Sequence, residues 1–218
     1  MTDPSRTLTF GTASDRADAG AFLARVARLD PAALVRLRCG GGVIALWAWL
    51  PLEVLATRVV RGEGPADATV QAQALLASLT AVPAGAAPQV GAPVALPARR
   101  DADWPGALPP SAGVRELDAI PAGVVRDLLA AGERTFREAS TGADPRAVGD
   151  ALLEHEALTV SGGGESVTIP LRLLLGLARM GFLGEDPLQV GLAGGWVRAA
   201  ASYGVAYRRR GKLTLLTR

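Results

Sequence analysis

The chain has 218 residues, 49% hydrophobic and 20% charged, with a formal net charge of +2. That apolar share can bury a core, which excludes global disorder, and the length suits one large domain or two small ones. Only 5% of residues are aromatic, so the core must be built mainly from Val, Leu and Ala.

Residues 6–10 read as a short strand. Asp15 to Leu29 follows as an amphipathic helix, with Ala19, Phe22, Leu23, Val26 and Leu29 on one stripe and Ser14 or Asp15 as its cap. Val35, Leu37 and Cys39 alternate with Arg36 and Arg38, which predicts a strand with one wet face. Gly40-Gly41-Gly42 turns into Val43–Leu50, apolar throughout and expected to be a central strand covered on both faces. Val54 to Arg61 returns as a third strand, and Pro65 and Asp67 are expected to open a helix running to about Thr80.

Residues 81–113 are dense in Pro, Ala and Gly, a composition that neither a helix nor a central strand tolerates, and they read as a linker. Within it Trp104 and the Val90, Val94, Leu96 series are suited to docking onto a domain. A helix is predicted from Pro121 to Ser140, and Asp144-Pro145 caps and opens another. Leu158–Val160 and Ser166–Ile169 can pair across Gly162-Gly163-Gly164. Pro170 opens a leucine-rich helix ending near Gly184, and residues 188–217 read as two or three strands turning near Ser202 and Gly211. The fold class is therefore α+β, with two small subdomains of helices on an antiparallel meander. Their expected bounds are 1–80 and 114–218, joined by the linker at 81–113.

The chemistry these residues exclude is broad. Cys39 is the only cysteine, so no intrachain disulfide can form, and Lys212 is the only lysine available for Schiff-base chemistry. His155, the only histidine, falls at helical phase with Val148 and Leu152 and cannot by itself supply a zinc site. The glycine triplets lead into strands rather than a helix N-terminus, so they predict hairpin turns and not phosphate loops. Trp47 and Trp49 share a strand face and are expected in the core rather than on a base-stacking platform. No catalytic residue, metal site or cofactor is expected. The longest apolar run, Val43 to Leu52, is well short of the ~20 residues of a membrane helix. The first residues also lack the pattern of a signal peptide. A cytoplasmic protein with no membrane partner is expected.

Charge is unevenly spread. Residues 1–100 carry +3, residues 101–186 carry −7, and residues 187–218 carry +6 with no acid. In the last stretch Tyr207, Arg208, Arg210 and Lys212, with Arg198 on a neighbouring strand, form the candidate partner-binding set. On a strand, Arg208 and Arg210 share one face and Arg209 joins Tyr207 on the other. The expected function is a non-catalytic binding or regulatory protein that lays this basic hairpin on an anionic partner. Nucleic acid is the first choice of partner and an acidic protein surface the second. A protein–protein adaptor or scaffold is the alternative. An enzyme whose site is assembled from scattered carboxylates, arginines and tyrosines is the other.

Overall fold

A computed structural model describes residues 6–81 and 91–210. They form two compact units, one of Met1–Gly106 with Ala178–Phe182, the other of Ala107–Leu177 with Leu183–Arg218. Each packs helices on antiparallel strands, the α+β class expected from the sequence. Among the described residues no helix is long and apolar enough to cross a membrane.

In the first unit, β1 (Thr7–Phe10) leads into α1 (Ala13–Leu29), and β2 (Leu34–Gly40), β3 (Val43–Leu50) and β4 (Val54–Glu63) form a meander. The cap of α1 is Thr12, a few residues ahead of Ser14 and Asp15. Its hydroxyl donates to the Asp15 carboxylate at 2.6 Å and accepts the Asp15 backbone N–H at 3.0 Å. The other Asp15 oxygen accepts the Arg61 backbone N–H at 3.0 Å, so the same residue that caps the helix pins it to β4. Ala19, Phe22, Leu23 and Val26 are the buried stripe. Each of the three larger side chains contributes about 1.5–3 kcal/mol by leaving water. Gly41 and Gly42, at φ of 59° and 76°, supply the two positive dihedrals that a tight β2–β3 turn demands.

Two expectations change here. Asp67–Gln71 is a strand, β5, not the start of a helix, and only Ala72–Thr80 is helical (α2). Ala68, Thr69 and Val70 are buried against β2, and Asp67 takes the Arg36 guanidinium in two hydrogen bonds of 2.6 and 2.8 Å, so pairing overrides the Pro–Asp signal. On β3, Ile44, Leu46, Ala48 and Leu50 are buried, but Trp47 and Trp49 are only partly so. The Trp49 indole N–H donates to the Pro105 carbonyl at 3.2 Å.

The sheet runs β5-β2-β3-β4, with β1 on β4 and β6 (Val94–Ala95) on β1. Part of the expected linker therefore belongs to this unit, while residues 82–90 lie outside the described residues. Arg99 bridges Val70, Asp101 accepts the Thr69 N–H at 2.7 Å, and Thr69 returns its carbonyl to the Arg100 N–H. These contacts cover the free edge of β5. Prolines forbid a ladder strand there but not an edge cover. Trp104 is buried beneath the Arg36 guanidinium, 5.9 Å from its ring centre.

This network should be acid-sensitive. The Arg36 hydrogen bonds hold the Asp67 carboxyl below its ordinary value, and the Arg99 pair does the same for Asp101. A depressed folded value adds stability that is present above the unfolded value and lost as pH falls through the folded one. Asp67→Asn should cost about 1 kcal/mol at pH 7, modest because solvent screens the pair. In urea unfolding, that cost should shrink by pH 2.5. An equal cost at both pH values would refute the assignment.

The second unit opens with β7 (Val114–Ile120), a strand the sequence reading left unassigned, followed by α3 (Ala122–Ala139) and α4 (Pro145–Glu154). Then come β8 (Glu156–Gly162), β9 (Glu165–Pro170) and α5 (Leu171–Arg179), which is shorter than expected. The final meander is β10 (Leu188–Ala193), β11 (Trp196–Ala201) and β12 (Gly204–Arg209), turning at Gly194-Gly195 and Ser202-Tyr203. Its order is β12-β11-β10-β7, with β8 and β9 as a separate hairpin. The β7 pairing skips Leu117, because Asp118 opposes Val190 while Glu116 opposes Gly191. A Cβ on Gly162 would lie 2.1 Å from the Leu117 carbonyl oxygen, so only glycine lets β8 approach this bulge.

Candidate functional site

The basic hairpin is formed by β11 and β12, with Arg198 opposite Tyr207, Val197 opposite Arg208 and Trp196 opposite Arg209. Alternation places Arg208 and Arg210 on one face, and carboxylates meet them there. Arg208 reaches Glu154 at 3.1 Å, and the same carboxylate pairs with Arg172 from α5. Arg210 lies 3.9 Å from Glu165, which also takes Arg115 of β7 at 2.6 Å. Two carboxylates thus serve four guanidiniums. Arg198 is 3.9 Å from Glu116, and Tyr207 is buried at 8% exposure. Lys212 lies outside the described residues.

Arg209 differs from its neighbours. It is exposed, and its guanidinium lies 4.6 Å from the ring centre of Trp196, with no carboxylate partner among the described residues. A guanidinium held over a ring face is restrained while its N–H donors remain available to a phosphate or carboxylate. Between β12 and the β8–β9 hairpin is a cavity of about 280 Å³. Its polar walls include Glu154, Glu156, Ser166, Thr168, Arg208 and Arg210.

The residues weighed for chemistry fall elsewhere. His155 caps α4, is exposed, and uses its backbone carbonyl to accept the Leu171 N–H at 2.9 Å. The helix stops at Glu154, so the helical phase that aligned His155 with Leu152 is not continued. Cys39 is half-buried, and burial, followed by the Asp67 charge, pushes its thiol up to about 11, away from thiolate chemistry. Among the described residues no three His, Cys, Asp or Glu side chains group to hold a metal. Both glycine triplets form hairpin turns.

Sequence reasoning missed Glu165, Arg172 and Trp196. For Arg172 a signal was present, because it interrupts a leucine run on what is otherwise an apolar helix. A buried arginine there requires an acid, which Glu154 supplies.

Two families match the chain in sequence. Residues 3–100 match "Domain of unknown function (DUF8010)", and residues 109–213 match "Domain of unknown function (DUF8185)". No curated protein matches. Among solved structures, a DnaN sliding clamp (DNA polymerase III subunit beta) from Bartonella birtlesii is similar at a TM-score of 0.57 and 16% identity, over 97% of this chain and 66% of that one. The DNA polymerase sliding clamp of Caulobacter crescentus is similar at 0.55 and 16%, over 98% and 69%. The DNA polymerase III subunit beta of Pseudomonas aeruginosa is similar at 0.52 and 19%, over 93% and 67%. The fold resembles that of the sliding clamps. The chain spans about two thirds of the length of the clamps it matches.

Proposed function

We propose that the chain is a non-catalytic scaffold that associates with DNA, using the β11–β12 hairpin as one of its contacts. The observation that carries this reading is the likeness of nearly the whole chain to proteins named as DNA polymerase sliding clamps. The hairpin supplies a suitable surface chemistry, since positive side chains on a strand pair can lie against phosphates. Arg209 is its strongest contact to a continuous backbone. Arg208 and Arg210 already share carboxylates within the molecule, so their charge is partly spent before DNA arrives.

Fluorescence anisotropy of duplex and single-stranded oligonucleotides with 5′-hydroxyl ends, at two salt concentrations, tests this. Weak binding is expected, with a salt slope near −0.9 per neutralised phosphate on duplex. Arg209→Ala should weaken it several-fold, and Arg208→Ala should weaken it less. No binding at low salt by the folded protein would remove DNA as the partner.

A protein-adaptor reading is favoured by one feature of α3. Of its eighteen residues only Val125 is buried, while Phe136 is 40% exposed and Leu128 and Leu129 are half-covered. An apolar helix face covered so thinly can bind another protein.

A further inference from the structure

We infer that the chain self-associates through α3, two copies meeting on the same face of that helix about a twofold axis beside Phe136. The inference rests on the reading of α3 as a protein-binding face and names the protein it receives. The first argument is what the fold leaves uncovered. α3 is 18 residues long, yet Val125 is its one buried residue, and α4, with 10 residues, buries none. Helices in proteins draw most of their stability from packing an amphipathic face, so two that pack so thinly leave apolar surface in water. Phe136 is the largest part of that surface, at 40% exposed. The residue of α4 beside its ring is Gly149, which has no side chain to cover it.

The second argument selects a second copy as the occupant. Two helices related by a perpendicular twofold axis run antiparallel, and residues equally far either side of the axis face each other. Glu133 and Arg137 stand two residues either side of Thr135, and both are exposed. An axis at Thr135 sets the acid of each copy against the base of the other. The ion pair that each helix closes on itself, at 3.1 Å, is then shared across the contact as well. Phe136 lies one residue from that centre, a rise of about 1.5 Å, so the two rings meet beside the axis. Leu129 and Glu133, at i−7 and i−3, fall on the same side of the helix as Phe136. Charge does not oppose the pairing, because Arg126, Arg134 and Arg137 balance Asp127, Glu133 and Glu138 along α3. The face therefore complements itself, acid against base and ring against ring.

Sedimentation of the full chain over a range of concentrations tests this. A monomer–dimer equilibrium is expected, and Phe136→Asp should abolish the dimer. Glu133→Arg sets base against base across the axis, and Arg137→Glu sets acid against acid. Each should weaken the dimer about tenfold. Mixed in equal amounts, these two variants restore acid against base at both contacts, and a heterodimer at least as tight as the parent dimer is expected. All three substitutions fall at exposed positions, and thermal unfolding checks that each variant folds. If the mixture stays as monomeric as its parts, or if Phe136→Asp leaves the dimer intact, the α3 contact is overturned. A parent chain that is monomeric throughout overturns it too, and an apolar fluorescent dye then separates the two readings. Dye bound by the parent and lost in Phe136→Asp leaves the face open to a different protein. No dye bound removes the protein-binding reading as well.

Discussion

Gly162→Ala should lower the stability of the second unit by about 2–4 kcal/mol, the range of a backbone clash that cannot relax by rotating a side chain. The added methyl would lie 2.1 Å from the Leu117 carbonyl oxygen and 2.7 Å from its carbon, so a strand must move. Gly142→Ala is the control, because nothing lies within 4 Å of a Cβ there. Thermal or urea unfolding should separate the two variants clearly. Equal stability would mean that β8 does not seat on the β7 bulge.

The second large effect is expected at Glu154. Arg172 is only 7% exposed, and its guanidinium pairs with this carboxylate. Glu154→Gln removes a countercharge from a buried cation, and breaking such a pair costs about 3–5 kcal/mol when both partners are buried. Glu154 is half in water, with its side chain 55% exposed, so about 2 kcal/mol is the better expectation here. Arg172→Met on the Glu154→Gln background should recover most of the loss, since leucines surround that position on α5. A double variant as unstable as the sum of the single ones would show that the two residues act independently.

How much of this was legible depends on where each residue's partner lies in the chain. The stripe of α1, the meander of β2 to β4 and the cap of α4 are local patterns, and each stands in the structure within a few residues of its expected place. The strand β5 was misread because its decisive contact, Asp67 with Arg36, is made across 31 residues. β7 was overlooked because Val114–Ile120 lies mostly exposed at a sheet edge, with charges at three of seven positions, and shows no apolar alternation. At the candidate site the arginines were visible as a cluster, but their electrostatic state was not. Glu154 precedes Arg208 by 54 residues, and Glu165 opens β9 whereas Arg210 follows the end of β12. Only the fold could reveal that, among the described cations of the cluster, the one with no carboxylate partner is Arg209.

The edge cover on β5 has a consequence for biosynthesis. Asp101, which accepts the Thr69 N–H, is made 32 residues after it. At ribosomal rates of about 5–20 residues per second, that separation lasts roughly two to six seconds. During that interval β2, β3 and β4 can already pair, and β5 presents its outer backbone groups to any other extended chain nearby. The nascent polypeptide therefore passes through a short window in which strand exchange with a neighbour on the same message competes with completion of its own sheet. The arrival of Arg99, Arg100 and Asp101 closes that window.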